Sequence, residues 1–318
     1  MYQSILKIFP DVNRSFFQFV SEREEKINEI RVRNEKPIIV IEGEKEWFLN
    51  KEGYYTDKLY EATLMNGDDL NRMIQHICQY SQYAFEDEIR QGFITVAGGH
   101  RIGLVGQVVM SNEKNIRTIK HINGLNIRVS HQIKGVGQAL LPFLYRGGAL
   151  KSTLIVSPPG CGKTTLLRDL IRTISDGNEY AEGISVGVVD ERSEIAGSYM
   201  GQPQNDVGIR TDVLDACPKL YGMMLLLRSM SPRMIAIDEL GSEEEIEVVG
   251  TISNCGVKIL ATMHGNCLSD VYRREGMEQL LNKKGFELML VLGKKQNNYI
   301  VQAIYEWKED GEWLCIKS

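Results

Sequence analysis

Nine residues, Ser157-Pro-Pro-Gly-Cys-Gly-Lys-Thr-Thr165, constrain the fold of this chain more than any others. They follow an apolar, β-branched run, Thr153–Val156, and open a stretch whose Leu166, Leu167, Leu170, Ile171 and Ile174 share one helical face. A strand, a turn ending Gly-Lys-Thr and a helix make a cradle for phosphate, because successive backbone N–H groups and the positive helix end point inward. Pro158, Pro159, Gly160, Cys161 and Gly162 form the cradle in this reading. Lys163 reaches the β- and γ-phosphates, Thr164 and Thr165 bind phosphate and metal, and the Thr164 hydroxyl is the Mg²⁺ ligand. ATP and Mg²⁺ are therefore the expected ligands. The first glycine of G-x-x-x-x-G-K-[ST] is replaced by Ser157, while Gly160 and Gly162 keep the close-approach positions.

Further apolar runs follow at Val186–Val189, Met234–Ile237, Ile259–Ala261 and Leu288–Leu292, most of them separated by amphipathic stretches. Continuous apolar strands alternating with helices predict an α/β unit with a mostly parallel sheet covered on both faces. The region before it reads as a smaller mixed α+β domain. Period-2 patches at Glu29–Arg33, Pro37–Ile41 and Trp47–Leu49 predict strands, and Leu70, Met73, Ile74, Ile77 and Cys78 predict a helix after Asn66. Gly98-Gly99 between Ile94–Ala97 and His100–Gly106 predicts a tight hairpin. No helix opens after those glycines, so they are not a dinucleotide loop. The expected division is 1–148 for the N-terminal domain, with its end at Gly147-Gly148, 149–285 for the core and 286–318 for C-terminal strands that complete it.

Two strands end in acids. Asp238, after Met234–Ile237, is placed to hold Mg²⁺ through water, with Glu239 beside it. Asp190-Glu191 closes Val186–Val189, with Glu191 28 residues beyond Lys163 (191 − 163), a distance that suits one helix and a return to the neighbouring strand. Hydrolysis needs a carboxylate that orients and deprotonates water. Glu191 is the preferred base and Glu239 its competitor. His264 follows Ile259–Ala261, three residues further on; it is either a structurally satisfied histidine or a γ-phosphate sensor. Asn282-Lys-Lys-Gly285 lacks the aspartate that reads guanine, which favours adenine.

Composition narrows the class. In 318 residues, 43% hydrophobic and 25% charged, a real core is affordable, which excludes a disordered or collagen-like chain. Apolar stretches reach only about five residues, too short to span a bilayer. Asp11, Asn13 and Arg14 interrupt any signal-peptide core, and six scattered cysteines without a C-x-x-C pair suit a reducing compartment. A cytoplasmic location is expected. Net charge is −5, yet 101–150 carries seven Lys or Arg against the single acid Glu113.

Val-Asp-Glu-Arg-Ser-Glu, then Leu-Arg-Ser-Met-Ser-Pro-Arg-Met-Ile-Ala-Ile-Asp-Glu-Leu, then Ala-Thr-Met-His-Gly-Asn, downstream of the phosphate loop, resemble the RecA-like core of type II/type IV secretion ATPases. The resemblance makes Asp190-Glu191 the Asp box, Asp238-Glu239 the Walker B segment and His264 the His box. Asp190-Glu191-Arg192-Ser-Glu194 is also similar to the Gly-Glu-Arg turn of rotary ATPases, which supports Glu191. Gly99-His-Arg-Ile-Gly-Leu-Val-Gly106, Asn126-Ile-Arg-Val129 and Val207-Gly-Ile-Arg-Thr-Asp-Val-Leu-Asp215 resemble, more narrowly, the stage III sporulation protein AA family. That family implies a hexameric ring ATPase, peripheral at the cytosolic face of a membrane-embedded sporulation channel and acting from mother cell to forespore. Ring ATPases complete their sites with arginines from a neighbour; Arg101, Arg117 and Arg128 are the candidates. A solvated positive face is the plain alternative. Few aromatics interleave with these charges, so a nucleic-acid partner is not expected. The rival functions are a RecA-like motor stimulated by nucleic acid and a nucleotide-gated scaffold with little hydrolysis.

Overall fold

The computed structural model describes residues 4–111, 116–295, 298–308 and 311–317; Glu113 and Lys114 of the basic stretch lie outside them. The chain forms two compact units, Met1–His131 with Gly197–Gln204, and Gln132–Ala196 with Asn205–Ser318.

The first unit is built on a seven-stranded antiparallel sheet in the order Tyr55–Thr56, Lys45–Leu49, Ile39–Glu42, Ile27–Arg33, Ile116–Arg128, His100–Met110, Phe93–Val96. A register shift between Ile27 and Glu29 lets Ile27, Ile30 and Val32 all reach the core despite the two-residue period. Gly98 and Gly99, at φ +90° and +73°, turn the expected hairpin, a backbone that side-chain-bearing residues rarely adopt. The Asn66 side chain accepts from the Asp69 N–H at 2.7 Å and caps the helix Gly67–Ile77, which buries Leu70, Met73, Ile74 and Ile77.

The second unit holds an eight-stranded sheet in the order Thr211–Asp215, Val186–Asp190, Met234–Ile237, Lys258–His264, Thr153–Ser157, Leu288–Lys295, Asn298–Trp307, Trp313–Lys317. The first six run parallel and the last two antiparallel. Alternate side chains feed two cores. Ile155, Val188, Ala236 and Leu260 pack on one face with Leu166, Leu167, Leu170, Ile171 and Ile174 of the helix Lys163–Asp176. Leu154, Val156, Val189, Ile235 and Ile237 pack on the other with the helices Lys219–Ser229 and Glu243–Asn254. Each fully buried Leu or Ile contributes roughly 1.5–3 kcal/mol by leaving water. Gly147 and Gly148 turn the short hairpin of Tyr145–Arg146 with Ala149–Leu150 inside this unit. Because the central strands are parallel and nearly in register, Asp190, Asp238, His264 and Ser157 emerge at the same sheet edge, where open α/β sheets bind ligands.

Candidate nucleotide site

The loop Pro158–Gly162 joins the central strand Thr153–Ser157 to the helix that begins at Lys163. Gly160 and Gly162 adopt φ +72° and +75°, and a Cβ at Gly160 would meet nothing, so that residue keeps the loop surface open to a close ligand. Pro158 and Pro159 bring no N–H, which leaves donation to the amides from Gly160 onward. Ser157 has no left-handed backbone, is fully buried, and donates its hydroxyl to the Pro158 carbonyl at 3.0 Å. Its position therefore does not require glycine, and the departure from the sequence pattern has a physical basis.

Two of the expected residues, Glu239 and His264, meet at Lys163. Its Nζ lies 3.2 Å from Glu239 Oε1 and 3.3 Å from His264 Nε2, and His264 Nε2 lies 3.1 Å from the same Glu239 oxygen. Arg192 Nη1 donates to Glu239 Oε2 at 2.8 Å. Burial pushes the Glu239 carboxyl up, but the Lys163 ammonium, with Arg192 and His264, outweighs it and holds the group below the usual carboxylate range. Thr164 Oγ1 donates to Asp238 Oδ2 at 2.6 Å, and Thr262 Oγ1 donates to Asp238 Oδ1. Thr165 follows, half-buried, in the first helical turn.

The second acidic turn divides its labour. Asp190 is buried, and its carboxylate accepts the amides of Glu194 at 2.9 Å, Ile195 at 3.1 Å and Ala196 at 2.8 Å. Burial raises its pKa against the pull of those three amides. Arg168, also buried, donates to the carbonyls of Ile195 and Glu194 at 2.5 and 2.6 Å. This pair shapes the turn. Glu191, 39% exposed, projects from it and lines one small pocket with Asp238, Glu239 and Lys219.

Arg101, Arg117 and Arg128 all lie on the sheet of the first unit. Arg117 and Arg128 are exposed, whereas Arg101 is half-buried and stacks its guanidinium 3.8 Å from the Phe93 ring centre. Sequence reasoning did not single out Lys219 or Thr262. Thr262 stands inside the Ala-Thr-Met-His motif, which was its only signal, and Lys219 had none.

The family model for sporulation stage III, protein AA, matches residues 2–312. The chain belongs to that family. It is 35% identical over 311 residues to stage III sporulation protein AA of Bacillus subtilis, covering 98% of this chain and 96% of that one. Among solved structures, the ATPase DotB of Legionella pneumophila has a TM-score of 0.59 at 12% identity, covering 94% of this chain and 81% of its own. The pilus retraction motor PilT, solved with bound ADP, has a TM-score of 0.56 at 14% identity, with 95% and 83% covered. This member of the stage III AA family thus has the RecA-like fold of secretion ATPases.

The donor set of this family member fits a nucleotide with Mg²⁺. The glycine loop and helix start offer amides, Lys163 offers a cation, and Thr164 with Asp238 pairs two hard oxygen ligands of the kind Mg²⁺ takes beside phosphate.

Proposed function

We propose that this chain is an Mg²⁺-dependent ATPase that works as a hexameric ring and drives assembly of, or transport through, a membrane-embedded complex during endospore formation. The observation that carries the reading is the convergence of Lys163, Thr164, Asp238 and Glu239 at the carboxyl edge of a parallel sheet, beside a helix start. Mg²⁺ held by Thr164 and Asp238 would supply charge neutralisation along the phosphates. Lys163 exchanges Glu239 for phosphate oxygens. His264, already within reach of Lys163 and Glu239, registers the γ-phosphate.

Glu191 takes the proton of the attacking water. A general base needs a free oxygen facing the water; both oxygens of Glu239 are engaged, by Lys163 and His264 and by Arg192, while Glu191 has one ion pair at 3.5 Å to Lys219 and lines the pocket. Among the described residues no helix is long and apolar enough to cross a membrane, so a membrane role runs through partners in this reading. The chain's place in a sporulation family, and its fold-likeness to a pilus motor, support that role.

The test is turnover against protein concentration, with and without single-stranded DNA. The proposal expects a cooperative rise with concentration, no response to DNA, and loss of turnover in Lys163→Ala. Wild-type turnover in that variant overturns the phosphate assignment; linear, DNA-stimulated turnover overturns the transport ring. Glu191→Gln should keep ATP binding and lower kcat by about 10²–10⁴-fold. An unchanged kcat there moves the base to Glu239.

A further inference from the structure

Lys219 is oddly placed. It is the first residue of the helix Lys219–Ser229, where aligned peptide dipoles present their positive end and a cation is disfavoured by about 0.3–1 kcal/mol. Its side chain is also only 11% exposed, and a buried ammonium is costly unless well paired. Three oxygens offset both penalties. Nζ donates to the Glu239 carbonyl at 2.7 Å and lies 3.3 Å from Glu245 Oε1 and 3.5 Å from Glu191 Oε2.

Those oxygens belong to three elements: the turn after Val186–Asp190, the turn after Met234–Ile237, and the first turn of the helix Glu243–Asn254. Glu239 has φ +58°, a left-handed backbone that persists in a non-glycine residue only when its surroundings over-determine it. Here its N–H donates to Thr262 Oγ1 at 2.8 Å and its carbonyl accepts from Lys219. Glu245 adds a third tie, because its Oε2 accepts from the Gly241 amide at 2.8 Å. The helix reaches this position through a close approach to the sheet. A Cβ on Gly222 would stand 2.5 Å from Val189 Cγ1, and one on Gly187 2.8 Å from Leu226 Cδ1.

We infer that Lys219 is a positioning residue that fixes the two acidic turns against one another and so sets where the Glu191 carboxylate stands. The inference rests on the hydrolysis reading above. A compact ammonium can serve three oxygens in different directions, whereas the planar guanidinium fork of arginine cannot match them all. Glu191 is faced by Lys219 and by Cys217, whose thiol burial and the Glu191 charge push up. Asp190, Arg192, Glu194, Asp238 and Glu239 line the same pocket, and Glu245 shares Lys219 with it. Lys219 is the cation paired with it, so losing that ammonium removes the tie that holds the Glu191 carboxylate in place.

The experiment is kcat and KM for MgATP for full-length wild type, Lys219→Met and Lys219→Arg, with thermal melts to verify folding. Lys219→Met should lower kcat about 30-fold with KM little changed. Lys219→Arg, which keeps the charge but cannot meet all three oxygens, should recover only part of the rate. Lys219→Gln, which keeps a donor for the Glu239 carbonyl and loses the charge, gives the same loss of kcat and serves if the methionine variant does not fold. A wild-type kcat, a loss that appears in KM instead of kcat, or no recovery in Lys219→Arg overturns the inference and leaves hydrolysis standing. A wild type without turnover at any concentration overturns the hydrolysis reading and this inference together.

Discussion

Thr262 is fully buried on the strand Lys258–His264, donates to Asp238 and accepts the amide proton of Glu239. Valine has nearly its shape but neither function. Thr262→Val should therefore leave a buried N–H unpaired and lower stability by about 1–3 kcal/mol in urea unfolding. It should also weaken the Mg²⁺ dependence of nucleotide binding, read by calorimetry with and without the ion, because Asp238 loses an orienting donor. The loop and the acids after two strands were legible in the sequence because their chemistry is written locally: a glycine turn, a lysine, a carboxylate closing an apolar run. Lys219 and Thr262 were not, since each acts on residues distant in sequence and neither stands out from its own neighbours.

At the scale of elements, the C-terminal strands are tied to the core by charge as well as by the ladder. Lys151, just before the central strand, pairs with Glu306 of Asn298–Trp307 at 2.7 Å, and Lys308 pairs with the same carboxylate. Lys151, then Lys308, hold the Glu306 pKa at about 2, against burial, from an ordinary value of 4.5. A folded pKa below the unfolded one stabilises above the unfolded value and is lost as pH falls through the window toward the folded one. Unfolding followed by circular dichroism should thus show stability falling between about pH 4.5 and 2, with Glu306→Gln removing about 1–2 kcal/mol of that slope. Gly222→Ala gains helix propensity of about 1 kcal/mol but drives its Cβ into Val189; the overlap should win, lowering Tm and, by displacing Lys219, kcat. The five apolar strands from Thr153 to Leu292 were readable because both their faces are buried. Thr211–Asp215 was not read as a strand, being a half-exposed edge whose sequence, Thr-Asp-Val-Leu-Asp, is polar in three of five positions.

For the whole molecule, the question is whether sites are completed between copies. Arg117 and Arg128 are exposed; Arg101, stacked on Phe93, is engaged within its own sheet. Arg117→Ala and Arg128→Ala subunits keep Lys163, while Lys163→Ala subunits keep both arginines. If either arginine acts across subunits, its alanine variant should lose about 10³-fold in turnover alone and recover part of it when mixed with Lys163→Ala. Failure of mixing to restore any turnover assigns these charges to a solvated face. Arg101→Ala should instead lower Tm. The sequence indicated an α+β region followed by an α/β region. It carried no sign that Gly197–Gln204, from within the second, packs with the first, because that excursion depends on tertiary partners such as Gln204 Oε1 accepting from the Gly98 amide at 2.9 Å.

The Lys163–Glu239 pair has a further consequence for ligand choice. A cation that already owns an internal carboxylate sets an entry threshold: an arriving anion must replace that partner as well as shed its own water. Chloride offers a single point of charge for that exchange, whereas sulfate has several oxygens that can also accept loop amides. On the proposed reading a triphosphate would engage those amides along its whole length, and the Lys163–Glu239 pair would favour such a polyanion over chloride.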